Sequence, residues 1–382
     1  MGLEPTIFFA GGGTGGHIFP GLAIAERVGE RPVQCNCHFL VSTRSLDAQI
    51  MRQHGLPYTP LPVGPLPGRL WNPVAVAGFA RAWFAGVNRV QKLIRQIRPA
   101  AVVATGGYVS GPAVAAAARA AVPVVMVNLD TPPGRANRWM ARRAAKIFTA
   151  GAGWPGAEPI GVPLRRSAVG PHDQGLARRA LGLDRGRRVL LVTGGSQGAN
   201  TLNQMMVHLV ARPQVRAAFD RWQVLHLVGT HAVEPVRQAY EQAKIPARVQ
   251  PFCDQMGLAW SAAAFAISRS GAGGVAEAHA NATPTLFLPY PFHKDQHQKH
   301  NVRALVQIGG AQVHDDLVDP VANADRWADS LAALMGDPLR LKHMTQAMRR
   351  DPPNNGAATV ADWLIRCLTA SQPQRIDAMS RG

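Results

Sequence analysis

A histidine follows directly on a run of glycines in Gly11-Gly12-Gly13-Thr14-Gly15-Gly16-His17. Glycines let backbone N–H groups crowd around an anion, and a helix starting there adds its positive end. His17, in the first turn of that helix, would stand beside whatever the loop binds, where an imidazole can take a proton near neutral pH. It can equally be a helix-start histidine bonded to backbone. Gly11, Gly13 and Gly16 fit the GxGxxG spacing of dinucleotide loops, which taken alone is a weak signal. That reading expects an acid about 20 residues on, at the end of the second strand. The strand at His38 to Ser42 runs instead into Thr43 and Arg44, which disfavours NAD and leaves an NADP variant open through Arg44. No GKS or GKT follows the glycines, so an ATP-binding P-loop is excluded.

Three further stretches carry comparable chemistry. "ATGGYVSGP", from Ala104, follows a strand, and ligands bind at the carboxyl ends of parallel strands. Gly106, Gly107 and Tyr108 should therefore face the same place as Gly15 and Gly16. "TGGSQGAN" offers the Ser196 hydroxyl and loop amides to a phosphate. In "SRSGAGGVAEAHA" a helix starts among Gly271, Ala272, Gly273, Gly274, Val275 and Ala276, with Glu277 about one turn in. A diphosphate can approach such a helix start closely, and the carboxylate can accept two hydrogen bonds from a ribose diol. The plainer reading of Glu277 is a solvated acid on a helix face. The segment "PYPFHKDQHQKHN" gathers three histidines with Asp295 and Gln298, but it has no HxxxH with a nearby glutamate and no Asp-X-Asp pair for a magnesium–nucleotide. Readers of sugar hydroxyls suit it better.

These loops need a scaffold. "TIFFAGGGTGGHIFPGLAIAE", from Thr6, and "RVLLVTGGSQGANTLNQMM", from Arg188, share one grammar of apolar run, glycine turn and amphipathic stretch. Each reads as strand, loop and helix, opening a Rossmann-like domain. Short apolar runs alternate with helical patterns after both, the signature of parallel α/β sheets. The boundary falls near Gly161-Val162-Pro163, after the linker-like "AGAGWPGAEPIGVP". The domains are then 1–162 and 163–338, with C-terminal helices and a polar tail, disordered from Ser371, over 339–382.

The chain has 382 residues, 47% of them hydrophobic, enough for two cores. Its 41 Lys and Arg against 23 Asp and Glu give +18, which favours an acidic partner: nucleic acid, anionic lipid or a phosphorylated substrate. Nucleic acid is disfavoured because its four tyrosines are scattered and not interleaved with the basic residues. Four cysteines form neither a zinc spacing nor a disulfide framework, which suits a reducing cytosol. No secretory signal and no apolar run of membrane-spanning length is present, so any membrane contact is peripheral. The stretch "LPVGPLPGRLWNPVAVAGFARAWFAGVNRVQKLIRQIRP", from Leu61, and within it Trp71 to Arg98, is the place for it, mixing Trp71, Val74, Phe79, Trp83 and Phe84 with Arg69, Arg81, Arg89, Lys92, Arg95 and Arg98. An ordinary amphipathic core helix is the alternative.

Taken together, GGTGGHIFPGLAIA, TGGYVSGP, GGSQGAN, SRSGAGGVAE and KDQHQKHN, in this order, resemble the MurG family, the peptidoglycan N-acetylglucosaminyltransferases that turn lipid I into lipid II. The resemblance implies a GT-B fold of two Rossmann-like domains facing across a cleft, and an inverting transfer without metal or other cofactor. It implies UDP-GlcNAc in the C-terminal domain, on Ser196, the helix start from Ala272 to Glu277, and Gln298 near the sugar. Arg165 in "GVPLR" would reach the diphosphate, and the backbone of Cys253 in "PFCDQM" would read uracil. Thr14, Gly15, Gly16, His17 and Tyr108 match the acceptor side, with the undecaprenyl-pyrophosphoryl-muramyl peptide as acceptor and His17 as base. The resemblance also implies docking on anionic lipid at the cytoplasmic face of the inner membrane. One departure stands out: where the family carries His-Glu-Gln-Asn, this chain has Val127-Asn128-Leu129-Asp130. Asp130 is thereby a second candidate base, or a sign of another lipid-linked acceptor. A non-catalytic nucleotide-sugar binder is the remaining alternative.

Overall fold

The computed structural model describes residues 4–67, 72–195, 197–292 and 296–370. Ser196, Arg69, Trp71, His293 to Asp295 and the tail from Ser371 lie outside the described residues. The chain divides into two units, one made of Met1–Leu129, Pro133–Pro163 and Asn355–Gly382, the other of Leu164–Asn354 with Asp130–Pro132.

The first unit begins β1 (Thr6–Gly11), α1 (Gly15–Gly29), β2 (Asn36–Ser42), α2 (Ser45–Gln53) and β3 (Tyr58–Leu61). It continues with α3 (Pro73–Ile97), β4 (Ala101–Gly106), α4 (Gly107–Arg119), β5 (Val124–Asn128), α5 (Arg135–Ala141), β6 (Lys146–Thr149) and β7 (Glu158–Pro159). Its seven strands run β3-β2-β1-β4-β5-β6-β7, all pairs parallel. The order reverses between β1 and β4, where open α/β sheets bind ligands. There the register slips between Ala10 and Gly11, so that Gly11 pairs with Gly106 and the two glycine loops leave the sheet side by side.

The second unit opens with α6 (Gln174–Ala180), β8 (Arg188–Thr193), α7 (Asn200–Val210), α8 (Pro213–Ala218), β9 (Trp222–Leu227), α9 (Glu234–Gln242) and β10 (Ala247–Gln250). It goes on through α10 (Met256–Ala262), β11 (Phe265–Ser268), α11 (Ala272–Ala280), β12 (Thr285–Phe287), α12 (His297–Gln307), β13 (Ala311–Val313), α13 (Pro320–Gly336) and α14 (Pro338–Arg350). Its parallel sheet runs β10-β9-β8-β11-β12-β13, reversing between β8 and β11. Both sheets are buried on two faces, which is why their central strands read as continuous apolar runs.

Segment 339–382 is shared out. Helix α14 belongs to the second unit, whereas α15 (Gly356–Ala370) packs on α1 in the first. Trp363 of α15 meets Phe148 edge-on at 6.5 Å, and Asp362 pairs with Arg31 at 2.6 Å. The glycine- and proline-rich stretch before Leu164 also does more than link, since it contributes β7 to the edge of the first sheet.

One buried polar cluster makes the second core sensitive to acid. His226 on β9 is fully buried, with Nδ1 3.0 Å from the Tyr240 hydroxyl and Nε2 3.1 Å from Asn203 Oδ1. The amide oxygen can only accept, so Nε2 carries the hydrogen and Nδ1 accepts from Tyr240. Burial pushes this imidazole from 6.5 down to about 3. The unfolded chain therefore takes up a proton below 6.5 that the folded chain refuses, and stability falls as pH drops through that window. At pH 5 the loss from this group is about 2 kcal/mol, at about 1.4 kcal/mol per unit. Urea midpoints across this range should show it, and the His226 ring should not titrate in NMR spectra above about pH 5. A ring signal titrating at the ordinary histidine value would refute the assignment.

Candidate functional site

In the first unit the expected acceptor-side residues come together at the switch between β1 and β4. The Thr14 side chain makes no cap bond to α1, and the first turn of α1 holds no acid, so no side chain of this helix start offsets its positive end. His17 Nδ1 lies 3.3 Å from the Thr105 carbonyl oxygen, while the Thr105 hydroxyl donates to the His17 carbonyl at 2.6 Å. A carbonyl accepts only, so Nδ1 carries the hydrogen and Nε2 is the basic nitrogen. The ring lies on the turn at Gly106 and Gly107, and Gly107, at φ +74°, leaves no space for a side chain. A Cβ there would sit 2.4 Å from the Gly12 carbonyl and 3.0 Å from the His17 ring. The Tyr108 ring covers Gly13, whose own Cβ would fall 2.6 Å from it.

Two residues hold this loop: Asp47, which the sequence reading did not single out, and Arg44, which it left open as a contact for an NADP phosphate. Asp47, in the first turn of α2 and fully buried, accepts from Gly13 N at 2.8 Å, Ser42 N at 3.0 Å and Ser42 Oγ at 2.6 Å. Arg44 Nη1 donates to Gly13 O at 2.6 Å. The acid missing from the end of β2 thus comes from the following helix and binds the loop itself, and Arg44 is spent on the other side of the same residue, Gly13. An acid in the first turn after "STRSL" was the available signal. Asp130 stands two residues past β5, within the short piece that groups with the second unit.

In the second unit the described donor candidates fall after β10, β11 and β12, with Arg165 in the segment that opens the unit and Ser196 outside the described residues. The loop after β8 packs backbone to backbone on the turn after β9. Gly198, at φ +74°, would place a Cβ 2.2 Å from the Val228 carbonyl oxygen, so only glycine fits. Helix α11 starts at Gly271 with no side-chain cap and no acid in its first turn. Nothing lies within 4 Å of a Cβ built at Gly271 or Gly273, so the helix start opens onto space. Glu277, partly exposed one turn later, accepts from the indole N–H of buried Trp260 through Oε2 at 2.8 Å. No other protein hydrogen bond to this carboxylate occurs among the described residues, which leaves Oε1 for a ligand. Burial pushes its carboxyl up, against the pull of the Trp260 bond and of the Arg165 charge. Arg165, itself buried, is thereby placed near Glu277. Gln298, in the first turn of α12, accepts from Tyr290 N at 2.9 Å, so its amide hydrogens point elsewhere. Cys253 follows β10, half-buried, with its thiol pushed up by burial. No group of three or more His, Cys, Asp or Glu that could hold a metal occurs among the described residues.

Comparison with known proteins agrees with this layout. Residues 7–149 match the Glycosyltransferase family 28 N-terminal domain, and residues 189–360 match the Glycosyltransferase family 28 C-terminal domain. A protein of Clavibacter michiganensis subsp. michiganensis named UDP-N-acetylglucosamine--N-acetylmuramyl-(pentapeptide) pyrophosphoryl-undecaprenol N-acetylglucosamine transferase is 36% identical over 379 residues, 96% of this chain and 97% of that protein. The protein of the same name from Alkalilimnicola ehrlichii is 35% identical over 94% of this chain and 97% of its own length. Among solved structures, Acinetobacter baumannii MurG superposes with a TM-score of 0.69 at 23% identity, covering 95% of this chain and 99% of that one. A putative UDP-N-acetylglucosamine 2-epimerase from Listeria monocytogenes reaches 0.65 at 13% identity, over 98% and 99%, so the fold by itself does not select the reaction. Two matched domains in order, and relatives aligned end to end, do select the family: the chain belongs to glycosyltransferase family 28, among the MurG N-acetylglucosaminyltransferases.

Proposed function

We propose that this chain transfers N-acetylglucosamine from UDP-GlcNAc to the C4 hydroxyl of the muramyl sugar in undecaprenyl-pyrophosphoryl-MurNAc-pentapeptide, giving lipid II. The observation that carries this reading is the open, acid-free start of α11 with Glu277 one turn on, in a chain aligned end to end with transferases of that name. The donor diphosphate meets the amides from Ala272 to Ala276, with Ser196 and Arg165 beside it. Glu277 accepts the ribose hydroxyls, Gln298 reads the sugar, and the backbone at Cys253 reads uracil. On the acceptor side, Thr14, Gly15, Gly16 and Tyr108 position the muramyl end. As the C4 oxygen bonds to the anomeric carbon, its proton passes to His17 Nε2. The bond to the diphosphate breaks, its electron pair leaves with UDP, and the configuration inverts. The departing charge grows against a positive helix end and the Arg165 guanidinium, groups already oriented before reaction.

Helix α3 is the proposed membrane contact. Its second half is an ordinary core helix, burying Val87, Val90 and Ile94. Its first half leaves Val74 79% and Phe84 55% exposed, with Leu66 of the preceding loop at 61%. Arg81, Arg89, Lys92 and Arg95 lie along the same helix. Apolar insertion with basic residues nearby suits an anionic leaflet, here the cytoplasmic face of the inner membrane. No helix among the described residues is long and apolar enough to cross a membrane.

A second acceptor keeps support from the end of β5 and the segment after it, where Asn128 Oδ1 accepts from Asn137 at 2.6 Å and Asp130 follows two residues on. One assay separates the readings: labelled UDP-GlcNAc with lipid I in vesicles containing phosphatidylglycerol. Label in lipid II supports the proposal, and Phe84→Glu should reduce that transfer while leaving UDP-GlcNAc binding intact. UDP release with label in a different lipid would replace the acceptor.

A further inference from the structure

A buried charge pair lies among the strand ends of the second unit, and although Arg269 falls within the SRSGAGGVAE stretch, the reaction as proposed gives neither partner a role. Arg269 separates β11 from Gly271, the cap of α11. Its Nη1 donates to the carbonyls of Leu288 at 2.9 Å and Pro289 at 3.2 Å, just past β12. Its Nη2 donates to Asp316 Oδ2 at 2.6 Å and to the Thr201 hydroxyl of α7 at 2.5 Å. That hydroxyl passes its own hydrogen to the same Asp316 oxygen at 3.0 Å. The Asp316 side chain is 1% exposed, and its other oxygen accepts from Asn323 and from Val318 N, each at 2.8 Å. The guanidinium also lies 5.9 Å from the Tyr290 ring, next to the peptide that Gln298 holds. One carboxylate thus ties together, through one arginine, the elements leaving β8, β11, β12 and β13.

A buried ion pair contributes little net stability compared with apolar packing, and it fixes geometry because both partners demand directed bonds. The backbone here accepts strain to keep it. Val318, a β-branched residue, sits at φ +70°, held by the bond from its N–H to Asp316.

We propose that Asp316 is a positioning residue for the sugar-nucleotide donor, gripping Arg269 so that the β11–α11 turn presents its amides to the diphosphate. This rests on the donor reading above. Asp316→Asn keeps the shape and loses the charge. In the full-length protein it is expected to weaken UDP-GlcNAc binding by calorimetry roughly tenfold, the scale of a hydrogen bond to a charged group. The acceptor KM should stay at the wild-type value, which a general loss of structure would not allow. Combined with Arg269→Met, it should add nothing to the loss from Arg269→Met alone. Wild-type donor affinity in Asp316→Asn, a parallel rise in acceptor KM, or additive losses would each overturn the proposal. Should Asp316→Asn fail to fold, Arg269→Lys keeps the charge and loses the planar fork that joins Asp316 to the Leu288 and Pro289 carbonyls, and unchanged donor affinity in it would have the same force. Failure of the donor reading shows separately, as a wild-type protein that takes up no UDP-GlcNAc.

Discussion

Replacing His17 by alanine is expected to lower kcat about 10²–10⁴-fold, the range of a positioned general base, with UDP-GlcNAc affinity unchanged. The expectation rests on how the imidazole is held. The Thr105 carbonyl takes Nδ1–H, the Thr105 hydroxyl fixes the His17 backbone, and the glycine turn at Gly106 and Gly107 backs the ring. Its place in the first turn of α1 sets it directly after the glycine loop that is proposed to hold the acceptor. Asp130→Asn is the control. If His17→Ala retains wild-type kcat and Asp130→Asn loses it, the proton goes to Asp130 and His17 only shapes the loop. Single-turnover measurement with saturating donor keeps chemistry apart from product release.

The elements that carry the site were readable because each begins with an apolar run that ends abruptly in glycine. Both such runs, at Thr6 and Arg188, are central strands of their sheets. The strands that sequence reading passed over, β3, β7 and β13, all lie at sheet edges. An edge strand is paired on one side only, so it can be short and carry a proline, as "YTPL" and the two-residue "EP" do. The return of α15 to the first unit was likewise illegible, since its partners on α1 and β6 are remote in sequence. The same limit governed the site. Glycine loops announce themselves locally, whereas the residues that hold them, Asp47 beneath Gly13 and Trp260 beside Glu277, become neighbours only in the folded chain. Glu277 shows the consequence most clearly: its spacing after the glycines suggested a ribose contact, and nothing in that spacing revealed the indole that orients it.

That indole shapes what substitution of Glu277 should do. Glu277→Ala removes the carboxylate offered to the donor and strands the buried Trp260 N–H, so two losses are expected together. The donor KM should rise by a factor equivalent to about 1–3 kcal/mol, and the unfolding free energy should fall by about 1–3 kcal/mol for the unmet donor. Glu277→Gln separates them, because its amide oxygen can still accept from the indole while the Oε1 acceptor offered to the ribose becomes an amide donor. Stability should then recover and the donor KM should not. Acid adds a third reading. Burial raises this carboxyl above 4.5, so folding is helped while it is protonated, and that help is lost as pH rises through the folded value. A ribose diol needs the charged form, so the wild-type donor KM should climb on acidification from above the ordinary glutamate range, and Glu277→Gln should flatten that climb. A wild-type donor KM in Glu277→Ala, measured with saturating acceptor, would move the ribose elsewhere on the sheet edge.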